Sequence, residues 1–190
     1  MIWLAHLRLA PAQPLPRLGT LCGDFVAGLD LGTLHPDLQR GVAQHRAIDR
    51  CVDAHPAVRA ARERFAPPFR RFAPVLLDVF FDHFLARDWE RYGDGGPLAQ
   101  FVDEVHRDLH AHASLLPPAL QAALPRFSRD GWLLAYATPE GLTRVLTAMG
   151  TRVKRANPLA QGVEVLRARE AEFADTFAVL WPTLEALARG

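Results

Sequence analysis

Acidic and imidazole side chains recur at helical spacing inside segments that are otherwise apolar. Between Pro74 and Tyr92, Val75, Asp78, Asp82, Leu85 and Trp89 are spaced 3-4-3-4 and share one stripe of a helix. Leu76, Leu77, Phe80, Phe81 and Phe84 cover most of the remaining circumference. The spacing therefore predicts a central, buried helix with Asp78 and Asp82 one turn apart, ~6 Å along its axis. Between Pro36 and Asp53, Leu38, Val42, His45, Asp49 and Val52 follow the pattern 4-3-4-3, with Arg46 and Arg50 on the adjoining flank. A further carboxylate, Asp24, stands in the apolar run Leu21-Cys22-Gly23-Asp24-Phe25-Val26. A buried carboxylate is stable only when neutralised, either by arginine in an ion pair or by a cation. For four acids and His45 together the cation is the stronger explanation, because several carboxylates can ionise side by side around it. An oxygen-rich set with one or two imidazoles and no thiolate suits Mn²⁺ or Mg²⁺, with Fe²⁺ as a third candidate.

The elements that must hold these residues are helical. Ala, Leu, Arg and Glu dominate and isoleucine occurs only at Ile2 and Ile48, which favours helix over strand. Prolines mark where helices begin: Pro36 opens a stretch to Asp53, Pro56 one to Phe65, Pro74 the run to Tyr92, and Pro97 the run to Leu116. Pro139 lies near the start of a segment closed by Gly150, and Pro158 opens an amphipathic stretch towards Trp181. The segment Tyr92-Gly93-Asp94-Gly95-Gly96 is a loop. No repeat or long linker divides the 190 residues, so a single all-α domain spanning 1–190 is expected.

Composition excludes several classes of function. There are 22 basic and 21 acidic side chains, a net charge of +1, which argues against a nucleic-acid partner. No apolar stretch reaches the ~20 residues of a membrane span, and His6 and Arg8 interrupt the opening run, so no secretory signal is read. Cys22 and Cys51 form no CxxC pair and read as small buried hydrophobes in a reduced cytoplasm. Only Lys154 among the basic residues is a lysine; arginine is the better bidentate partner for carboxylate and phosphate.

Trp3-Leu4-Ala5-His6-Leu7, Gly23-Asp24-Phe25-Val26-Ala27-Gly28, His45-Arg46-Ala47-Ile48-Asp49 and the run from Asp78 through Asp82-His83 to Trp89 occur in an order and spacing that resembles the bacterial acyl carrier protein phosphodiesterases. The likeness holds from residue 1 to about residue 92, and the C-terminal half is compatible but less distinctive. It implies a helical bundle related to the HD phosphohydrolases. The implied activity is metal-dependent hydrolysis of the phosphodiester that joins 4′-phosphopantetheine to a serine of holo-acyl carrier protein. Met1-Ile2-Trp3 departs from the family's Met-Asn-Phe opening. Thr20 replaces an asparagine, and Asp82-His83 reverses the adjacent His-Asp pair of HD enzymes.

On seam position and resemblance together, Asp24, His45, Asp78 and Asp82 form the expected metal-facing set. Asp49 is expected either as a ligand or as the group that orients His45. His83 points about 100° away from Asp82, so it and His6 are the candidate proton donors. Arg46 is the candidate phosphate holder. Arg59, Arg62, Arg64, Arg70 and Arg71 against Glu63 alone make a basic stretch suited to an acidic carrier, with Arg59 and Arg62 as substrate contacts. Two other readings stay open: a phosphohydrolase acting on a small phosphoester or nucleotide, and a non-catalytic module that binds acyl carrier protein. His106, His110 and Asp103 imitate a metal site, but they lie beside the apolar stripe of their helix rather than on it.

Overall fold

The computed structural model describes residues 3–190, and for 128–130 the backbone alone. Met1 and Ile2 lie outside the described residues, while Trp3, the other departure from the family's opening, lies within them. The helices are α1 (Leu4–Leu9), α2 (Pro14–Cys22), α3 (Pro36–Ala54), α4 (Pro56–Glu63), α5 (Ala73–Arg87), α6 (Trp89–Tyr92), α7 (Leu98–Ala111), α8 (Pro118–Asp130), α9 (Pro139–Arg152), α10 (Gly162–Ala168) and α11 (Glu170–Arg189). Short 3₁₀ turns join several of them, and no strand occurs among the described residues, so the fold is an all-α bundle. No described helix is long and apolar enough to cross a membrane.

Proline at the first or second position starts α2, α3, α4, α5, α8 and α9, where its missing N–H is no loss. His35 caps α3 by accepting the Asp37 N–H on Nδ1 at 3.2 Å. The run expected from Pro97 to Leu116 ends as α7 at Ala111 with a 3₁₀ turn after it, and two other expected runs are each divided. The Pro74–Tyr92 run breaks at Asp88, whose carboxylate takes two hydrogen bonds from the Arg87 guanidinium (2.8 and 2.6 Å). The Pro158–Trp181 stretch becomes a 3₁₀ turn, α10 and α11, with the break at Arg169. Helices α1, α2 and α8 were not marked in the sequence; α8 even carries Pro125 in its interior.

Every helix contributes side chains to one core. At its centre α5 buries Leu76, Leu77, Val79, Phe80, Phe81, Phe84 and Leu85, as the nearly all-round apolar pattern predicts. Helix α11 packs against α3, α4 and α5, while α2 lies along α3. The α2–α3 approach is close enough to require glycine on both sides: a Cβ at Gly41 would come within 2.3 Å of the Pro16 carbonyl oxygen, and one at Gly19 within 2.5 Å of the Leu38 carbonyl oxygen. This contact sets the register of the two helices that carry Thr20 and His45.

Candidate metal centre

His45 and Asp49 lie one turn apart on α3, as their spacing predicts, and α1 brings His6 against them. The His6 and His45 rings stack with centroids 3.9 Å apart and planes inclined by 18°. Asp49 reaches both imidazoles: Oδ1 is 3.2 Å from His6 Nε2, and Oδ2 is 3.0 Å from His45 Nε2. One donor atom from each of the three residues lies within 4.8 Å of the others. His6 and His45 are buried, whereas the Asp49 side chain is 41% exposed, so the trio opens to solvent through its carboxylate.

Each ring is set by its surroundings. The Nδ1–H of His45 donates to the Thr20 carbonyl at 2.8 Å, which turns Nε2 towards Asp49. The contact that position 20 makes to His45 is through its backbone carbonyl. The Thr20 hydroxyl donates instead to the Arg17 carbonyl (2.7 Å). Gly23 leaves room for the ring, since a Cβ there would lie 2.3 Å from His45 Cγ. Asp24 flanks the trio on the solvent side, 46% exposed, with Oδ1 3.6 Å from His45 Nε2. Its Oδ2 accepts the indole N–H of Trp3 at 2.8 Å.

Asp82 organises the site from beneath. It is fully buried on α5, and its two oxygens accept the backbone N–H groups of Leu4 and Ala5 at 2.9 and 3.2 Å. These are among the amides that the first turn of α1 leaves without helical partners, and α1 has no acid of its own there. Asp82 thus anchors the helix that delivers His6.

The electrostatics follow from burial and pairing. Burial pushes the His6 imidazole down to about 4, and the Asp49 carboxylate offsets this only in part. For His45 burial acts downward too, but the neighbouring carboxylates and the Thr20 carbonyl outweigh it and the net shift is upward. Burial alone would raise Asp49; the two imidazoles 3.0 and 3.2 Å away reverse this and hold it well below the usual carboxylate range. At neutral pH His6 is therefore unprotonated beside an ionised Asp49.

These residues fit a divalent cation. Neither ring nitrogen of the buried His6 has a well-aligned hydrogen bond, so a lone pair in a solvent-poor site lacks a strong partner. His45 shows the arrangement usual for a ligating imidazole, with its other ring N–H fixed on a carbonyl. Two imidazoles with one or two carboxylates form a donor set for Mn²⁺ or Fe²⁺.

The structure brings together four of the residues singled out in the sequence: His6, Asp24, His45 and Asp49. Asp82 meets this group through the backbone of α1. Asp78 is half-buried one turn earlier on α5 and lies outside the convergent trio. The Nδ1–H of His83 donates to the Tyr136 carbonyl at 2.7 Å, and burial lowers its basicity. Arg46 and Arg59 are exposed on α3 and α4, and Arg62 is bound to Asp53 at 2.5 Å. The Nε2 of His106 accepts the Trp132 indole N–H at 3.0 Å, which ties it to the aromatic core.

Sequence reasoning passed over Trp3 as an Asp24 partner, Gly23 as the floor beneath His45, and Tyr136. Trp3 and Gly23 both stand in the quoted motifs, and an indole or a glycine beside an acid was the available signal. Tyr136 follows Trp132 by one helical turn in the less distinctive half. It is buried, and it remains protonated because of that burial and the nearby charges of Asp82 and Asp24.

Comparison with known proteins places the chain in a family. The family model described as acyl carrier protein phosphodiesterase matches residues 1–184. A relative in Serratia proteamaculans is 37% identical, over 84% of this chain and 83% of its own length. One in Photorhabdus laumondii is 33% identical, over 95% and 90%. One in Escherichia coli O157:H7 is 34% identical, over 99% and 97%. All three are named acyl carrier protein phosphodiesterase. No solved structure matches the chain.

Proposed function

Because the chain belongs to the acyl carrier protein phosphodiesterase family, we propose that it hydrolyses the phosphodiester between 4′-phosphopantetheine and the serine of holo-acyl carrier protein. The products are apo-acyl carrier protein and 4′-phosphopantetheine. The observation that carries the reading is the convergence of His6, His45 and Asp49 beside the half-exposed Asp24.

Phosphodiester hydrolysis needs charge neutralised on the phosphoryl oxygens, a water placed in line, and a proton for the departing serine alkoxide. His6, His45 and Asp49 would hold a divalent cation, Mn²⁺ by preference, with Asp24 completing the donor set on the solvent side. Such an ion supplies Lewis-acid polarisation of the phosphoryl group and a more acidic water. The chain's own residues do the positioning. The Thr20 carbonyl fixes the His45 ring, Trp3 restrains Asp24, and Asp82 holds α1 so that His6 stays stacked on His45. An imidazole lowered to about 4 is a lone-pair donor at neutral pH, which supports reading His6 as a ligand rather than as the expected proton donor. Burial also lowers the basicity of His83, and its Nδ1–H is held by the Tyr136 carbonyl rather than directed at the trio.

The test is direct. Holo-acyl carrier protein is incubated with the protein and Mn²⁺, and the intact carrier is weighed. Loss of the phosphopantetheinyl mass, dependent on the metal, is expected. An unchanged carrier together with cleavage of small phosphoesters would shift the function to a small-substrate phosphohydrolase. Absence of bound metal with carrier affinity retained would leave a binding module.

A further inference from the structure

Resting on that reading, we infer that the cavity beyond Trp3 receives the pantetheine arm of the substrate while the phosphodiester stays at the candidate metal centre. The cavity has a volume of about 490 Å³ and lies between α8, the Leu134–Ala137 turn and α9. That size falls within the ~300–1,000 Å³ typical of small-ligand pockets. A flexible arm one chain thick can enter it; a folded carrier cannot.

Two residues join this cavity to the site. The Trp3 ring forms part of its wall, packed against Phe127 at 5.2 Å and edge-on to Trp132 at 4.8 Å, while the same indole donates its N–H to Asp24. Tyr136 lines the cavity as well and lies within the fields of Asp24 and Asp82. Of the two groups esterified to the phosphorus, one is a protein surface and the other is the pantetheine. An arm leaving the phosphorus past Trp3 would reach the cavity that this ring walls.

The lining matches the arm's chemistry. The rings of Trp3, Phe127 and Trp132, with Val145 and Met149, offer flat and aliphatic surface to the geminal methyls and methylenes of pantetheine. Arg126, Arg144 and Arg152 supply donors for its amide carbonyls.

The experiment fills the cavity from an exposed helical position. Ala148 lies on its wall and is exposed on α9, so Ala148→Trp adds bulk without entering the core. Val179→Trp, at a 60% exposed position of α11, serves as the bulk control. Pantetheine is titrated against intrinsic tryptophan fluorescence, and holo-carrier cleavage is followed in parallel. Ala148→Trp should weaken pantetheine binding about tenfold and raise KM for the holo-carrier by a similar factor, with kcat within about twofold of the parent. The control should match the parent in all three. Equal pantetheine affinity in Ala148→Trp and parent, or no binding by the parent, overturns the assignment. Failure of the parent to strip the carrier removes the functional reading instead, and the pantetheine titration still decides the cavity. Should Ala148→Trp not fold, Arg144→Glu on the same exposed face reports in its place, with 4′-phosphopantetheine affinity expected to fall about tenfold.

Discussion

His45 can present Nε2 to the site only while its ring lies over the backbone at residue 23. A methyl group there would sit 2.3 Å from the ring carbon Cγ, so the imidazole must rotate off the Thr20 carbonyl. Gly23→Ala should therefore lower Mn²⁺ affinity and carrier cleavage by roughly 10- to 100-fold, the usual range for losing support of a ligand. Equilibrium dialysis and intact-carrier mass measure both, and an unchanged affinity would refute the role. Asp82 lends itself to a pH test. Burial pushes its carboxyl up to about 7, only partly opposed by the Leu4 and Ala5 amides, against 3.8 for an ordinary aspartate. Between about pH 4 and pH 7 the folded state then keeps a proton that the unfolded chain has released. Where the native state binds more protons, stability falls as pH rises, here by at most about 1.4 kcal/mol per pH unit. Asp82→Asn removes that slope. Urea denaturation of the metal-free proteins across this window should show the parent losing stability relative to the variant as pH increases; the opposite trend would refute it. The apolar stripe had indicated a buried acid here. Its neutraliser was sought among arginines and cations, whereas the partners are backbone amides 78 and 77 residues away in sequence.

At the scale of elements, the α2–α3 crossing holds the Thr20 carbonyl under His45. The obstruction at Gly41 is backbone on every side, Pro16 oxygen at 2.3 Å and Gly19 carbon at 2.5 Å, so a side chain must push the helices apart. Gly41→Ala should destabilise by about 1–3 kcal/mol, which at this chain length lowers Tm by roughly 2–12 °C. It should weaken Mn²⁺ binding as well, because the carbonyl moves with α2. Circular dichroism melting and metal titration check the pair, and a Tm equal to the parent's would mean that the contact is slack. The proline starts that marked α3, α4 and α9 were legible because proline at the first turn has one physical meaning. The break at Asp88 was not legible, since the 3-4 apolar spacing carries on from Leu85 to Trp89 and the interruption accompanies local pairing of Arg87 with Asp88. Helix α8 was hidden for the converse reason, because Pro125 inside it reads as punctuation. His45 and Asp49 could be seen together because they share one face of one helix. His6 could not be assigned to them, since only tertiary packing brings α1 against α3.

For the whole molecule, the candidate centre lies where the first helix meets the third, with α5 beneath both. A cation held by His6 from α1 and by His45 and Asp49 from α3 would cross-link segments some forty residues apart, and would add to the ties that Asp82, Arg8, the Leu9 carbonyl and apolar packing already give the six-residue α1. Such an ion binds only the assembled state, so it must stabilise the fold by RT ln(1 + [L]/Kd), about 2.7 kcal/mol at a hundredfold excess over Kd. For a chain of this size that corresponds to a rise in Tm of roughly 5–10 °C. Differential scanning calorimetry of the chelator-treated protein with and without Mn²⁺ measures it. Asp49→Asn weakens the carboxylate bridge between the two imidazoles while keeping its shape, and should lose the increment and the cleavage of holo-carrier together. A variant that still gained several degrees from Mn²⁺ would place the ion elsewhere, and the role of the His6–His45–Asp49 trio in the reaction would fall with it.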